Sequence, residues 1–108
     1  MAETIVCPTS DVPEGSVKRF DVGDQAVAVY NLGGSFYATE NECTHGSFSL
    51  AEGIVDGEIV ECTMHFGAFN IKTGAVEAPP CSIPLRTYKV TVRDDQVVVD
   101  LDKEAGEA

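Results

Sequence analysis

The sequence predicts an all-β protein with antiparallel strands. Its apolar runs are short, they are rich in Val, Ile, Tyr and Phe, and Gly, Asp, Asn and Pro separate them. Branched and aromatic residues suit a pleated, half-buried surface, and the intervening residues suit tight turns. A chain of 108 residues fits one domain, taken as residues 1–108. Its two ends form an antiparallel β base, and a loop-rich stretch from Glu42 to about Pro84 is inserted between them.

The base is read in order. Thr4 to Cys7 makes a first strand. Ser10 to Gly15 turns the chain, with room for one short helical turn capped by Ser10. Ser16 to Asp21 is a second strand, and Gly23-Asp24 turns it back. Ala26 to Asn31 is densely apolar. Asn31-Leu32-Gly33-Gly34 signals a hairpin, with Ser35 to Thr39 returning antiparallel. After the insertion, Arg86 to Arg93 alternates, with Tyr88, Val90 and Val92 on one face. Asp94-Asp95 makes the turn and Gln96 to Leu101 closes the base. The small, acidic end from Asp102 to Ala108 is expected to fray.

Charge and composition exclude several functions. Eighteen acidic and seven basic residues give a net charge of −11, which repels phosphate backbones and anionic membranes. Nucleic acid and membrane are therefore not expected partners; a protein with a basic docking surface is. No apolar run reaches the length that spans a bilayer. Met1 to Cys7 has neither the basic nor the apolar region of a signal peptide, so the expected compartment is a reducing cytoplasm. Four cysteines there point to metal binding or free thiols before disulfides.

The insertion holds three of the four cysteines, both histidines, five of the ten glycines and three of the five prolines. Loops of that length are expected to need something besides apolar burial to order them, and ligand-type residues are the candidate. Two short motifs stand out: Cys43-Thr44-His45 and Cys62-Thr63-Met64-His65, with sixteen residues between His45 and Cys62. Each offers one thiolate and one imidazole from a tight loop. Cys7 and Cys81 have no histidine at such a spacing and read as buried free thiols. Tetrahedral zinc also takes two Cys and two His, but usually from one Cys pair and one His pair, whereas each loop here mixes the two. A two-iron cluster accommodates the mixture by giving thiolates to one iron and imidazoles to the other.

The pattern Cys43-x-His45-x16-Cys62-x-x-His65 resembles the Rieske [2Fe–2S] motif. Cys43-Thr44-His45-Gly46 and His65-Phe66-Gly67-Ala68-Phe69 resemble its two cluster loops, and Pro79-Pro80-Cys81 resembles its proline loop. The likeness covers most of the chain and is nearest the small ferredoxins of bacterial aromatic-ring-hydroxylating dioxygenases of the biphenyl, toluene and naphthalene type. It implies a Rieske fold with a cluster-binding subdomain over about 42–84, and one [2Fe–2S] cluster per chain. It also implies that Cys43 and Cys62 hold an inner iron while His45 and His65 hold an outer one.

The implied role is single-electron transfer from an NAD(P)H-dependent, flavin-containing ferredoxin reductase to a terminal oxygenase. The chain would be an electron-transfer component, without substrate chemistry of its own, and a monomer. Two thiolates leave an oxidised cluster neutral, whereas four would leave it negative, so imidazole ligation raises the potential; the family range is about −150 to +300 mV. The loop cysteines that pair in high-potential members correspond to Phe48 and Met64. The hydroxyl-bearing positions correspond to Gly67 and Phe69, so few donors face the sulfurs. The expected potential is at the low end, near about −150 mV.

Gly46 and Gly67 are expected to let backbone approach the cluster, and Pro79 and Pro80 to stiffen the covering loop. Phe48, Phe66 and Phe69 are read as cluster shielding or core rather than as an electron path. Glu42, Glu52, Asp56, Glu58, Glu61 and Glu77, against Lys72 alone, could steer the chain to basic partners. Competing readings are a structural zinc-binding interaction module and a small Rieske-like subunit of another oxygenase or of a reductase.

Overall fold

In the computed structural model, residues 3–42, 49–62, 67–78 and 83–104 are described. Ten strands follow in chain order: β1 (Glu3–Pro8), β2 (Val17–Val22), β3 (Gln25–Leu32), β4 (Ser35–Glu40), β5 (Ile54–Asp56), β6 (Ile59–Glu61), β7 (Ala68–Asn70), β8 (Val76–Ala78), β9 (Thr87–Arg93) and β10 (Gln96–Asp100). Two antiparallel sheets result. The larger has the order β1-β10-β9-β4-β3-β2, and the smaller runs β5-β6-β7-β8. The edges of the larger sheet, β1 and β2, touch, so that sheet curls on itself.

The strands of the larger sheet are those the sequence predicts, with ends displaced by at most one residue. Their turns are set locally. Gly33 and Gly34 have φ of 64° and 94°, so the β3–β4 hairpin uses the left-handed region that glycine enters freely. Asn31 ties this hairpin down: its Oδ1 accepts the Gly34 N–H at 2.9 Å and its Nδ2 donates to the Val12 carbonyl at 2.8 Å. Asp94 and Asp95 adopt the same region at φ 52° and 61°. The expected Ser10 cap does not form. The short 3-10 turn spans Thr9–Asp11, follows Pro8 and has no side-chain cap. The Thr9 N–H instead donates to the Asp95 carbonyl at 2.9 Å, so the β9–β10 turn satisfies it.

Strand β3 is buried on both faces. Val27 and Val29 join Cys7, Val12, Val22, Ala38, Tyr88, Val97 and Val99 inside the curled sheet. Ala28 and Tyr30 point the other way, into a second core with Leu50, Val60, Cys62, Phe69, Ile71 and Leu85. Residues of a strand alternate between faces, so an unbroken apolar run is what a doubly covered strand requires. The small sheet therefore packs on the larger one through β3.

This second core supplies the apolar part of what orders the insertion. The described part of the inserted stretch carries four short strands and a 3-10 turn, Leu50–Glu52. Leu50, Val60, Phe69 and Ile71 are fully buried, each contributing about 1.5–3 kcal/mol by removal of apolar area from water. Two glycines fit it together. A Cβ on Gly74, where φ is 78°, would lie 2.2 Å from the Leu85 carbonyl oxygen, and one on Gly53 would lie 2.4 Å from that of Glu61.

Candidate metal centre

Strand register brings one end of each of four strands together at one end of the small sheet. Ile54 pairs with Glu61, Glu61 with Ala68 and Ala68 with Ala78. These are the first residue of β5, the last of β6, the first of β7 and the last of β8. The loop of residues 63–66 leaves and returns between β6 and β7 at this end. The loop of residues 79–82 leaves β8 at the same end. The loop of residues 43–48 is closed by an antiparallel bridge between Glu42 and Ser49, and the 3-10 turn Leu50–Glu52 then leads directly into β5. Two of the segments singled out by sequence thus have their described flanks at one end of the small sheet, and the third connects to that end through Leu50–Glu52 and β5.

Of the predicted ligands, Cys62 is described. It follows β6 and is 3% exposed. Its N–H donates to the Gly67 carbonyl at 2.8 Å, closing the neck of the 63–66 loop. Its neighbours in the core are apolar, and a thiolate there is better compensated by a bound metal cation than by water. A buried thiol at such a neck is a donor that fits a [2Fe–2S] centre. Cys43, His45 and His65 lie outside the described residues, as do Gly46, Phe48, Met64, Phe66, Pro79, Pro80 and Cys81. Accordingly no group of three metal-ligating side chains converges among the described residues.

Other singled-out residues are placed. Cys7 is a buried free thiol in the core of the curled sheet, as expected; burial pushes its pKa up, and the Asp11 carboxylate adds to this. Phe69 is fully buried in the second core, beside Cys62. Tyr30 lies in that same core with its hydroxyl 2.9 Å from Thr39 Oγ1, which donates onward to the Glu40 carbonyl at 2.8 Å. Burial raises the Tyr30 pKa, against a smaller opposing effect of the Thr39 bond. A shallow cleft of about 390 Å³, lined in part by Tyr37, Gly57, Glu58 and Lys72, opens at the far end of β6 from Cys62 and contains none of the predicted ligands.

One participant is absent from the sequence reading. Asn41 is buried at the root of the first loop and hydrogen-bonds through both its backbone and its side chain. An Asn at the end of an apolar strand is a common turn signal, and nothing in the sequence distinguishes this one.

Known proteins share this arrangement. The Rieske [2Fe–2S] domain matches residues 2–89. The chain belongs to the Rieske [2Fe–2S] domain family. Members of this family carry a [2Fe–2S] cluster, one for a chain of this kind. The Rieske chain is 40% identical over 102 residues to the "Biphenyl 2,3-dioxygenase, ferredoxin component" of Rhodococcus jostii (strain RHA1), covering 94% of this chain and 95% of that protein. It is 46% identical over 99 residues to "Ferredoxin CarAc" of Metapseudomonas resinovorans, covering 91% and 92%. A Rieske ferredoxin solved in a "Complex of reduced oxygenase and oxidized ferredoxin in carbazole 1,9a-dioxygenase" superposes with a TM-score of 0.86 at 42% identity, covering 98% of this chain and 97% of that one. No helix among the described residues is long and apolar enough to cross a membrane.

Proposed function

We propose that this chain is the ferredoxin component of an aromatic-ring dioxygenase system, carrying single electrons from a flavin-containing, NAD(P)H-dependent reductase to a terminal oxygenase. The observation that supports the reading is that the flanks of segments 63–66 and 79–82 share one end of the small sheet, to which the 43–48 segment is joined through Leu50–Glu52 and β5. Residues of about 42–84 then act as the cluster-binding subdomain of a single 1–108 domain. Cys43 and Cys62 hold the inner iron, and His45 and His65 hold the outer one. When bound, the cluster accepts and returns one electron at low potential, near about −150 mV.

The chain's own residues supply the rest. Cys62 sits at the buried end of the site, with Phe69 and Tyr30 filling the core beside it. As ligands of the outer iron, His45 and His65 are the ones a partner approaches. The working form is a cytoplasmic monomer, a compartment in keeping with the free thiol of Cys7.

Ligand variants test the assignment. Cys43→Ser, His45→Ala, Cys62→Ser and His65→Ala are each expected to abolish the visible absorption and reduce electron delivery from reductase to oxygenase to background. Cys7→Ser and Cys81→Ser are expected to retain both. A Cys81→Ser protein lacking iron, or a His45→Ala protein that still delivers electrons at the wild-type rate, contradicts it.

A further inference from the structure

We infer that Asn41 is a positioning residue for the electron-transfer centre: it clamps the root of the 43–48 loop, and so fixes where that loop presents Cys43 and His45. This rests on the ligand assignment proposed above. Asn41 lies two residues before Cys43 and is 4% exposed. Its backbone N–H donates to the Ala26 carbonyl at 3.0 Å, anchoring it to β3, and its carbonyl accepts the Leu50 N–H at 2.7 Å. Its side chain reaches over the same neck. Nδ2 donates to Ser49 Oγ at 2.9 Å, and Oδ1 accepts the Ala51 N–H at 3.2 Å, with the Ser49 hydroxyl also 3.3 Å from Oδ1. Residue 41 thereby holds residues 49, 50 and 51, the whole return side of the loop.

The physical consequence is rigidity at one point. An unpaired buried amide is costly, and a fully paired one permits a single arrangement. With Glu42 and Ser49 bridged and Asn41 bonded across them, the two flanks of the 43–48 segment are held at a fixed separation. Leu50, next to Ser49, is itself buried in the second core, so the clamp ties the loop to packing that cannot shift easily. Ligand geometry at such centres is set by the shell behind the ligands.

The test compares wild-type holoprotein with Asn41→Ala and Asn41→Asp. An aspartate keeps an acceptor for the Ala51 N–H and for the Ser49 hydroxyl. Three readouts are used: the line widths of the reduced EPR spectrum, the rate of iron loss to a chelator, and deuterium uptake over residues 49–53. Asn41→Ala is expected to broaden the spectrum, to lose iron about tenfold faster and to take up deuterium sooner. Asn41→Asp is expected to restore the line width and the protection. Wild-type behaviour of Asn41→Ala, or an Asn41→Asp protein no better than the alanine variant, overturns the inference. If Asn41→Ala does not fold, Ser49→Ala, which removes one side-chain partner, takes its place: faster iron loss and deuterium uptake support the clamp, and wild-type behaviour overturns it. Iron-free wild-type protein overturns the ligand assignment, and deuterium uptake alone then decides whether Asn41 clamps the loop.

Discussion

Gly74 and Gly33 show how differently two glycines depend on their surroundings. Both have positive φ, but Gly33 faces open space whereas Gly74 abuts the Leu85 carbonyl. Gly33→Ala incurs only the left-handed penalty, roughly 1–2 kcal/mol. Gly74→Ala incurs that and must also separate two strands' connections, so its loss in urea denaturation is expected to be the larger by at least about 1 kcal/mol. Equal losses contradict this account of the contact. Tyr30 supplies a pH prediction. Its folded-state pKa is raised, while the unfolded chain titrates near about 10. Above that pH the folded state holds a proton that the unfolded state has lost, so stability falls as pH rises, with a limiting slope of about 1.4 kcal/mol per unit for that proton. Tyr30→Phe is expected to remove one proton from the alkaline slope, although Tyr88 and Cys7, also raised, keep part of it. An alkaline slope unchanged by Tyr30→Phe contradicts the burial of this hydroxyl. At this scale Cys62 was legible as a candidate ligand, since the motif names the residue, but its burial was not, since Glu61 and Thr63 flank it. Asn41 was not, because its value lies in partners eight to fifteen residues away.

Elements differ in how far sequence reveals them. Six base strands were readable because each is five to eight residues long and turn residues bound them. The strands β5 to β8 have three residues each, too few to display alternation, and they exist through pairing and the core shared with β3. Leu50 is the plug of that core, so Leu50→Ala is expected to cost about 2–5 kcal/mol. Deuterium uptake should rise first in β5 to β8 rather than in β1, β9 and β10. Uniform loss of protection across both sheets contradicts a separate second core. The β9–β10 turn offers the opposite sign. Two adjacent aspartates there occupy the left-handed region, so Asp95→Gly is expected to relieve part of that penalty and raise the melting temperature by a few degrees, on the order of 1 kcal/mol. A lower melting temperature contradicts the strain.

For the whole molecule, charge is the dominant property. Net charge of −11 repels itself and attracts basic surfaces, and both effects weaken as salt shortens the Debye length to about 8 Å near physiological strength. Electron delivery to reductase-fed oxygenase is therefore expected to slow as salt rises, and salt-independent rates would contradict steering by the acidic surface. The fold class was legible at this scale. The way the two cores share β3 was not, because a strand buried on both faces looks in sequence like any apolar run.

The most direct test of the central claim is an EPR spectrum of the dithionite-reduced protein, with iron, acid-labile sulfide and zinc assayed on the same sample. The account predicts a rhombic signal with average g below the free-electron value and about two irons and two sulfides per chain. A silent spectrum with one zinc per chain would contradict it and make the site a structural metal module.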